Sequence, residues 1–511
     1  MWYRSAVRCW PAGGAPVNRT RKYILAIDQG TTGSRAFIFD HRGKAVASAY
    51  KEFQQHYPKP GWVEHDGGEI WNSVEGVIRE AVSLAGIDPK WIAAIGITNQ
   101  RETTLLWDRQ TGRPYHRAIV WQCRRTARAC ARLQRHAPLF REVTGLVLDA
   151  YFSGTKVQWF FEHVPGLRRK AREGRVAFGT MDTWLIYKLT GGQAHATDMT
   201  NASRTLLYDI EARAWSLDLL QLLDIPDTIL PCVLPSSAVF GHTVAGIAGL
   251  PAGIPITGVM GDQQAALYGQ GCFTPGSIKN TYGTGCFMLL NTGQRRVHSR
   301  GGLLTTLACD ATGAPVFALE GSVFMAGAVV QWMRDELKII PDSSSTERMI
   351  EGLEDTHGVY VVPAFTGLGA PYWRPEARGL ITGLTRGANV RHIIRAGLES
   401  MAYQTRDVFD LMRRESGFPV KALAVDGGAS RNDFLMQFQA DILGVEVRRP
   451  RQADATVTGA AYLAGVAAGL WTPERVALMQ AQERCFKPGL PAARVRELYS
   501  GWQKAVSRAL V

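Results

Sequence analysis

The sequence has no long apolar segment, and this absence limits what the protein can be. No stretch reaches the about 18 consecutive apolar residues typical of a membrane-spanning helix. The most apolar run, residues 457–471, is short and rich in Ala and Gly. We therefore expect no membrane span and interpret this run as a buried core helix.

Metal-binding and disulfide patterns are also missing among the eight cysteines. No two of them have Cys-x-x-Cys spacing, and no pair of histidines stands at ligand spacing beside them. In a chain of 511 residues, this pattern predicts reduced thiols and a cytoplasmic location.

Acidic residues are in the minority, with 45 Asp and Glu against 58 Lys and Arg and a net charge of +13. The basic residues are spread along the chain, so we expect no nucleic-acid surface; a site for an anionic metabolite explains the balance equally well. Residues 1–22 alone contribute five positive charges and no negative one. Residues 1–20 lack the apolar segment of a secretory signal, which leaves a disordered tail or a misassigned start as interpretations.

What is present is a faint internal repeat. Residues 23–40 and residues 277–290 each read as strand, Gly/Thr turn and strand. The repeat predicts two related domains, 21–270 and 271–511, that divide near residue 270. Alternating strands and helices complete each half, for example a helix over 391–413 and a strand over 422–425. The fold class is therefore α/β, with two lobes and a cleft between them.

Three Gly/Thr turns follow strands, at residues 29–33, 283–285 and 427–428. Glycine allows the backbone N–H groups of such a turn to approach an anion closely. Neither GxxxxGK[ST] nor GxGxxG occurs, so the turns indicate a nucleotide site that is neither a P-loop nor a Rossmann site.

Two acids stand at strand ends. Asp28 precedes the first turn, where it either caps that turn or holds Mg²⁺ through water beside a phosphate. Asp262 follows another strand, where it either caps a helix or accepts a proton from a substrate hydroxyl, with Gln263 making a neighbouring hydrogen bond.

A charged pair and two aromatics complete the candidate site. Arg101 and Glu102 form either a solvated surface pair or, in a cleft, a set of donors and acceptors for a polyol. Trp121 and Phe287 either belong to cores or form an apolar wall for the carbon chain of that ligand.

Taken together, these segments resemble the FGGY carbohydrate kinases over nearly the whole chain from about residue 22. The matching segments are residues 28–32, 99–104, 151–156, 261–267, 280–287 and 426–429, with residues 151–163 and 379–399 similar to the two family signatures. Residues 99–104 and 262–267 resemble the branch of the family that phosphorylates glycerol.

The resemblance implies two actin-like (ribonuclease-H-like) domains, with ATP and glycerol as ligands and sn-glycerol 3-phosphate as product. It implies Asp262 as general base and Asp28 as an indirect Mg²⁺ ligand. The implied glycerol-binding residues are Arg101, Glu102, Trp121, Tyr151, Asp262, Gln263 and Phe287. The implied nucleotide contacts are Thr31, Thr32, Gly33, Arg35, Thr284, Gly327, Gln331, Gly428 and Asn432.

The sequence departs from the family pattern at Gly33, and two other functions are left open. Gly33 stands where bacterial relatives commonly have Ser, so a hydroxyl contact to the nucleotide is expected to be missing. A kinase for a tetritol or a pentulose is one alternative; a non-catalytic, actin-like nucleotide-binding protein is the other. A homodimer or homotetramer is the expected assembly.

Overall fold

A computed structural model describes residues 22–374, 376–451, 454–480 and 482–510. The tail predicted over residues 1–20 lies outside this range. The strands are β1 (Tyr23–Gln29), β2 (Gly33–Phe39), β3 (Ala45–Glu52), β4 (Glu64–His65), β5 (Ile92–Asn99), β6 (Leu105–Asp108), β7 (Ala118–Ile119), β8 (Val176–Gly179), β9 (Ala196–Asp198), β10 (Tyr208–Asp209), β11 (Ala214–Trp215), β12 (Cys232–Leu234), β13 (Gly241–His242), β14 (Pro255–Gly261), β15 (Ile278–Tyr282), β16 (Cys286–Gly293), β17 (Leu304–Cys309), β18 (Pro315–Val323), β19 (Tyr360–Val362), β20 (Leu380–Thr382), β21 (Ala422–Asp426), β22 (Glu446–Pro450) and β23 (Gln482–Phe486).

The α-helices are α1 (Gly67–Ala85), α2 (Ala127–Arg132), α3 (Ala137–Thr144), α4 (Ser153–His163), α5 (Leu167–Arg172), α6 (Met181–Leu189), α7 (Met199–Ala202), α8 (Leu217–Leu222), α9 (Asp262–Gly269), α10 (Gly327–Asp335), α11 (Thr346–Met349), α12 (Val390–Ser416), α13 (Asp433–Leu443), α14 (Ala455–Ala467), α15 (Pro473–Met479) and α16 (Ala492–Ala509). Five of them begin after a residue whose side chain caps the helix, namely α1, α7, α8, α12 and α13. Asp66 caps α1 by accepting from the N–H groups of Gly68 and Glu69, and Gly86 ends that helix with a φ of 62°.

The two main sheets share a strand order, as two related halves predict. One sheet has the order β13-β14-β5-β1-β2-β3, and the other has β17-β18-β16-β15-β21-β22-β23. In the first sheet β1 is antiparallel to β2 and parallel to β5, and β14 is parallel to β5. In the second sheet β15 is antiparallel to β16 and parallel to β21, and β22 is parallel to β21.

The chain forms two compact units. The first contains the described residues through Phe273 together with Thr306–Phe317 and Thr456–Met479. The second contains Thr274–Thr305, Ala318–Ala455 and the described residues from Gln480 onward. Each unit has its own apolar core.

The central strands β1, β5 and β14 of the six-stranded sheet are buried on both faces, which explains their continuous apolar sequences. In β1, Leu25 and Ile27 pack with α1, while Ile24 and Ala26 pack in the cluster that includes α14. The backbone of α14 comes so close to the sheet that a Cβ on Gly96 would lie 2.3 Å from the Ala460 carbonyl oxygen. The predicted core helix within residues 457–471 is thus confirmed, with bounds of Ala455–Ala467.

Asp262 is the first residue of α9 rather than its N-cap, which is Gly261. Free thiols are found at Cys123, Cys130, Cys272, Cys286, Cys309 and Cys485. No helix within the described ranges is both long and apolar enough to cross a membrane.

Candidate active site

Strand register brings the predicted residues of the first unit to one edge of its sheet. Asp28 on β1 and Met260 on β14 both pair with Thr98 on the intervening strand β5. Because the three strands are parallel, their carboxyl ends meet at this edge, which is where ligands bind in open α/β sheets. Arg101 and Asp262 follow within two residues of the ends of β5 and β14.

Arg101 and Glu102 are buried, so the alternative of a solvated surface pair is wrong. They are 3% and 1% exposed. The guanidinium of Arg101 contacts three groups: Nε lies 3.2 Å from Asp262 Oδ1 and 3.9 Å from Glu102 Oε1, and Nη1 donates to Gln264 Oε1 at 3.3 Å. Arg101 therefore connects the two predicted polyol-binding carboxylates.

Asp262 is the accessible member of this group. Its side chain is 32% exposed, against 2% for Arg101. Its Oδ1 accepts from the Gln263 N–H at 2.7 Å, and the side chain stands in the first turn of α9, where the helix dipole favours a negative charge. Gln263 follows it and is buried. A carboxylate that is fixed on one oxygen and still reachable by solvent is suited to accept a proton.

Tyr151 and Trp121 form an aromatic corner beside these carboxylates. Their ring centroids are 5.6 Å apart in an edge-to-face arrangement. Trp121 Nε1 donates to Thr31 Oγ1 at 3.0 Å, so the predicted polyol wall is hydrogen-bonded to the first Gly/Thr turn. Both rings are partly exposed, as a ligand-contacting wall requires.

The first Gly/Thr turn is held by side-chain amides. Gln29 and Gln100 donate to the Gly30 carbonyl at 2.7 and 3.2 Å, and Gln55 donates to the Thr31 carbonyl at 3.0 Å. The turn is therefore fixed through its carbonyl groups. Thr32 is exposed at its tip.

Gly33 is explained by its neighbour Tyr50. A Cβ at Gly33 would lie 2.6 Å from the Tyr50 ring and 2.7 Å from the Lys51 carbonyl oxygen. Tyr50 is also in contact with Arg35, whose guanidinium carbon lies 5.2 Å from the ring centroid. A side chain at position 33 would therefore displace the Tyr50 ring and the backbone of β3.

The second unit carries the other two turns at one sheet edge. Thr281 on β15 pairs with Asp426 on β21, and its Oγ1 donates to Asp426 Oδ1 at 2.6 Å. The Gly327 N–H donates to the Gly283 carbonyl at 3.0 Å, and the Ala328 N–H donates to the Thr284 carbonyl at 3.1 Å. The start of α10 is thereby attached to the turn at residues 283–285.

The remaining predicted nucleotide residues of the second unit surround these turns. Gly427 has a φ of 88°, and a Cβ there would lie 2.3 Å from the Tyr282 carbonyl oxygen, whereas a Cβ on Gly428 would meet no atom within 4 Å. Asn432 caps α13 by accepting from the Leu435 N–H at 2.8 Å. Gln331 is exposed on α10.

Phe287 also belongs to the second unit. It pairs with Thr281 across the β15–β16 hairpin and is partly exposed.

Sequence reasoning missed two buried cations. Arg204 Nε donates to Glu102 Oε1 at 2.6 Å, and Lys156 Nζ donates to the carbonyl oxygens of Tyr151 at 2.6 Å and Glu102 at 3.2 Å. Complete burial lowers the pKa of Lys156 to about 7. Lys156 lies in a segment that carries the family resemblance, but its partner is 54 residues away, and no local pattern marks Arg204.

The side chains that could hold the predicted Mg²⁺ are few. Among the described residues, no group of three or more His, Cys, Asp or Glu side chains could hold a metal ion. Asp28 is a single, partly exposed carboxylate at the first turn. A lone carboxylate fits Mg²⁺, which keeps several waters and takes its other ligands from substrate phosphates.

Comparison with known proteins places the chain in a family. Residues 23–269 match the FGGY family of carbohydrate kinases, N-terminal domain, and residues 278–468 match its C-terminal domain. The chain therefore belongs to the FGGY family of carbohydrate kinases, as its motifs predicted, and the predicted α/β fold with two domains is confirmed.

Individual relatives are similar over nearly their full length. A curated glycerol kinase of Alkaliphilus metalliredigens is 57% identical over 96% of this chain and 98% of its own. Glycerol kinase 2 of Thermotoga maritima is 55% identical over 96% and 99%. The crystal structure of Plasmodium falciparum glycerol kinase with ADP has a TM-score of 0.90 at 36% identity, covering 96% of this chain and 98% of that one.

Proposed function

We propose that this protein is a glycerol kinase, which transfers the terminal phosphoryl group of ATP to glycerol and yields ADP and sn-glycerol 3-phosphate, the first step of glycerol catabolism. The observation that carries the proposal is the contact of Arg101 with both Asp262 and Glu102, at 3.2 and 3.9 Å, at the carboxyl edge of the sheet. The names of the relatives at 55–57% identity support glycerol as the substrate.

On the polyol side, Asp262 is the proposed general base. Its partly exposed carboxylate accepts the proton of the terminal hydroxyl as that hydroxyl attacks the phosphorus atom. Arg101 and Glu102 offer donors and acceptors to the adjacent hydroxyls, with Gln263 beside them. Trp121, Tyr151 and Phe287 are the proposed contacts of the carbon chain.

On the nucleotide side, the Gly/Thr turns supply backbone and hydroxyl donors. In phosphoryl transfer, catalysis depends mainly on positioning and on neutralising the phosphate charges. Thr31, Thr32, Gly33 and Arg35 are the proposed contacts in the first unit. In the second unit they are Thr284, Gly327, Gln331, Gly428 and Asn432.

Mg²⁺ is the proposed metal, held through water by Asp28. When bound, it neutralises phosphate charge. Asp28 pairs with Thr98 and lies opposite Arg35 on β2, so its carboxylate stands among polar side chains at the turn.

Substitution of the base tests the mechanism. We expect Asp262→Asn to lower the turnover number by at least about a hundredfold, the usual scale for loss of a general base, while ATP binding survives. Coupled ADP release and titration of ATP by calorimetry measure the two quantities. Asp218→Asn is the control, because Asp218 also lies in the first turn of a helix, α8, and is exposed. Near-normal turnover of Asp262→Asn would refute the assigned base.

A substrate panel tests the activity itself. We expect ADP release from the unaltered protein to depend on glycerol and to be weaker with erythritol, xylulose or dihydroxyacetone. ADP release that does not depend on glycerol would contradict the proposed function. Preference for erythritol or xylulose would favour the tetritol or pentulose alternative, and no ADP release with any of the four would favour a non-catalytic nucleotide-binding protein.

Three further properties are proposed. A domain boundary near residue 270 is supported by the end of the N-terminal family match at 269 and the start of the C-terminal match at 278. A cytoplasmic location is supported by the need for ATP as a substrate. A homodimer or homotetramer is proposed by resemblance to the family.

A further inference from the structure

We propose that Arg204 and Lys156, here called the Glu102 clamp, are positioning residues that set the affinity for glycerol by fixing Glu102 and Tyr151. The inference deepens the proposed function and rests on it, since it assumes that Glu102 and Tyr151 contact the polyol.

Arg204 holds the carboxylate of Glu102. Its side chain is 0% exposed and that of Glu102 is 1% exposed, with 2.6 Å between Nε and Oε1. Loss of Arg204 would remove the shorter of the two guanidinium contacts of the buried Glu102 carboxylate and leave that of Arg101 at 3.9 Å, a change far more costly than loss of an exposed pair. The same guanidinium carbon lies 5.8 Å from the Tyr151 ring centroid and 5.2 Å from that of Phe152. Arg204 therefore contacts both predicted polyol residues.

Lys156 holds the backbone of the same two residues. One Nζ donates to the carbonyl oxygens of Tyr151 and Glu102, which come from segments 49 residues apart. The side chain is completely buried, and its bonds to these two carbonyl groups need only two N–H donors. A neutral amine supplies that number as well as an ammonium does.

The backbone at Glu102 needs such support. Its φ is 60°, in the left-handed region that non-glycine residues seldom occupy. Besides Lys156, the Ser153 and Thr104 hydroxyls donate to its carbonyl oxygen at 3.0 and 2.9 Å. A strained residue persists only where its surroundings determine it, so we assign the Glu102 clamp to maintaining this conformation.

The expected signature of the Glu102 clamp is a change in KM without an equal change in kcat. A residue that binds the polyol equally in the ground and transition states affects KM alone. We expect Arg204→Met to raise the glycerol KM by about 10- to 100-fold, the scale of a lost charge-assisted hydrogen bond, with kcat changed less than KM. Arg204→Lys keeps the charge but not the planar fork, so we expect an intermediate KM.

Two variants test the Lys156 arm. We expect Lys156→Met, which removes one donor from each of the two carbonyl groups, to raise the glycerol KM by about tenfold, the scale of a lost hydrogen bond to a charged or buried group. Lys156→Gln keeps an N–H₂ group and is expected to restore part of the affinity. Calorimetric titration of glycerol without nucleotide checks that the change lies in binding.

Arg125→Met is the matched control. Arg125 likewise has a side chain with 0% exposure, and its Nη2 lies 2.7 Å from Glu64 Oε1. Its guanidinium stacks on Trp62 and Trp159, which are not among the predicted polyol residues. We expect this variant to lose stability as Arg204→Met does and to keep its glycerol KM. Binding of ADP verifies that each variant is folded.

The outcomes separate the inference from the function it rests on. One outcome is that the unaltered protein phosphorylates glycerol while the folded Arg204 and Lys156 variants keep the glycerol KM within about twofold, as Arg125→Met does. In that case the inference on the Glu102 clamp is wrong and the proposed function stands. A twofold change is less than any lost hydrogen bond predicts. If the unaltered protein shows no glycerol-dependent ADP release, the proposed function and the inference both fall. If Arg204→Met does not fold, the test falls to Arg204→Lys. An unchanged glycerol KM in that variant would overturn the inference.

Discussion

At the scale of the residue, Gly33 shows how packing selects a side chain at a candidate ligand site. A Cβ at this position would lie 2.6 Å from the Tyr50 ring and 2.7 Å from the Lys51 carbonyl oxygen, both shorter than any normal carbon contact. The ring can rotate away, but the carbonyl belongs to the paired strand β3 and cannot. The turn therefore accepts serine only with a shift of the sheet.

This geometry predicts the effect of a serine at position 33. We expect Gly33→Ser to destabilise the protein by about 1–3 kcal/mol, the usual cost of overpacking, rather than to improve ATP affinity. Denaturant unfolding and the ATP KM measure the two effects. Combining it with Tyr50→Ala should recover only part of the loss, because the Lys51 carbonyl remains. An unchanged free energy of unfolding in Gly33→Ser would contradict the packing argument.

At the scale of the element, α7 holds two strand ends in place although it has only four residues. Thr200 accepts from the Gly261 N–H at 2.9 Å, directly before Asp262, and Asn201 exchanges side-chain hydrogen bonds with Asn99 at 3.0 and 3.1 Å. Asp198 caps α7 and accepts from both residues. The sheet edge that carries Asn99 and Asp262 thus depends on the buried carboxylate of Asp198.

A second buried carboxylate stands next to this cap and makes stability depend on pH. Burial, with the charge of Asp198 as a smaller cause, raises the pKa of Asp182 from 3.8 to about 7. Since the folded state then binds more protons than the unfolded state between about pH 4 and pH 7, the free energy of unfolding contributed by this group falls as the pH rises through that range.

The variant Asp182→Asn tests this effect. We compare the free energy of unfolding of the variant with that of the unaltered protein. We expect this difference to favour the variant by about 1–3 kcal/mol more at pH 8 than at pH 5.5, because the amide cannot ionise and one pKa unit corresponds to about 1.4 kcal/mol. Denaturant unfolding at both pH values measures the difference. The exposed Asp218→Asn is the control. If the difference in free energy of unfolding is the same at the two pH values, the raised pKa of Asp182 is wrong.

Elements were predictable from the sequence to the extent that their signals were local. The amphipathic spacing of residues 391–413 predicted α12, which extends to Val390–Ser416, and the strand predicted over residues 422–425 was found at Ala422–Asp426. The positions of Arg204 and Lys156 were not predictable, because their partners lie 102 and 54 residues away. Local periodicity carries no information on contacts at that distance.

At the scale of the whole molecule, the candidate ligand contacts are distributed over two compact units of related topology. The strand order β3-β2-β1-β5-β14 in one sheet corresponds to β18-β16-β15-β21-β22 in the other. In the first sheet a Gly/Thr turn connects the antiparallel strands β1 and β2, and β1 is parallel to β5. In the second sheet a Gly/Thr turn connects β15 and β16 in the same way, and β15 is parallel to β21. All polyol candidates except Phe287 lie in the first unit, and Gly428 lies in the second.

This distribution predicts that the affinities for the two substrates can be changed separately. A Cβ on Gly428 meets no protein atom within 4 Å, so Gly428→Ala should leave the melting temperature unchanged. With Gly428 as the proposed nucleotide contact, a bound nucleotide would meet that methyl group. We then expect the ATP KM to rise by about 5- to 30-fold, which corresponds to about 1–2 kcal/mol for a poorly accommodated methyl group. Gly427→Ala, strained by its φ of 88°, is expected instead to lower the melting temperature.

The complementary measurement uses glycerol without nucleotide. Gly428→Ala should bind glycerol as the unaltered protein does, and Arg204→Lys should bind ADP as the unaltered protein does, because each substitution lies in a different unit. If Gly428→Ala weakens glycerol binding while the ATP KM is unchanged, the assignment of Gly428 to the nucleotide is wrong. If both affinities fall together in either variant, the two units do not bind their ligands independently, and the separate roles inferred from the two sheets must be given up.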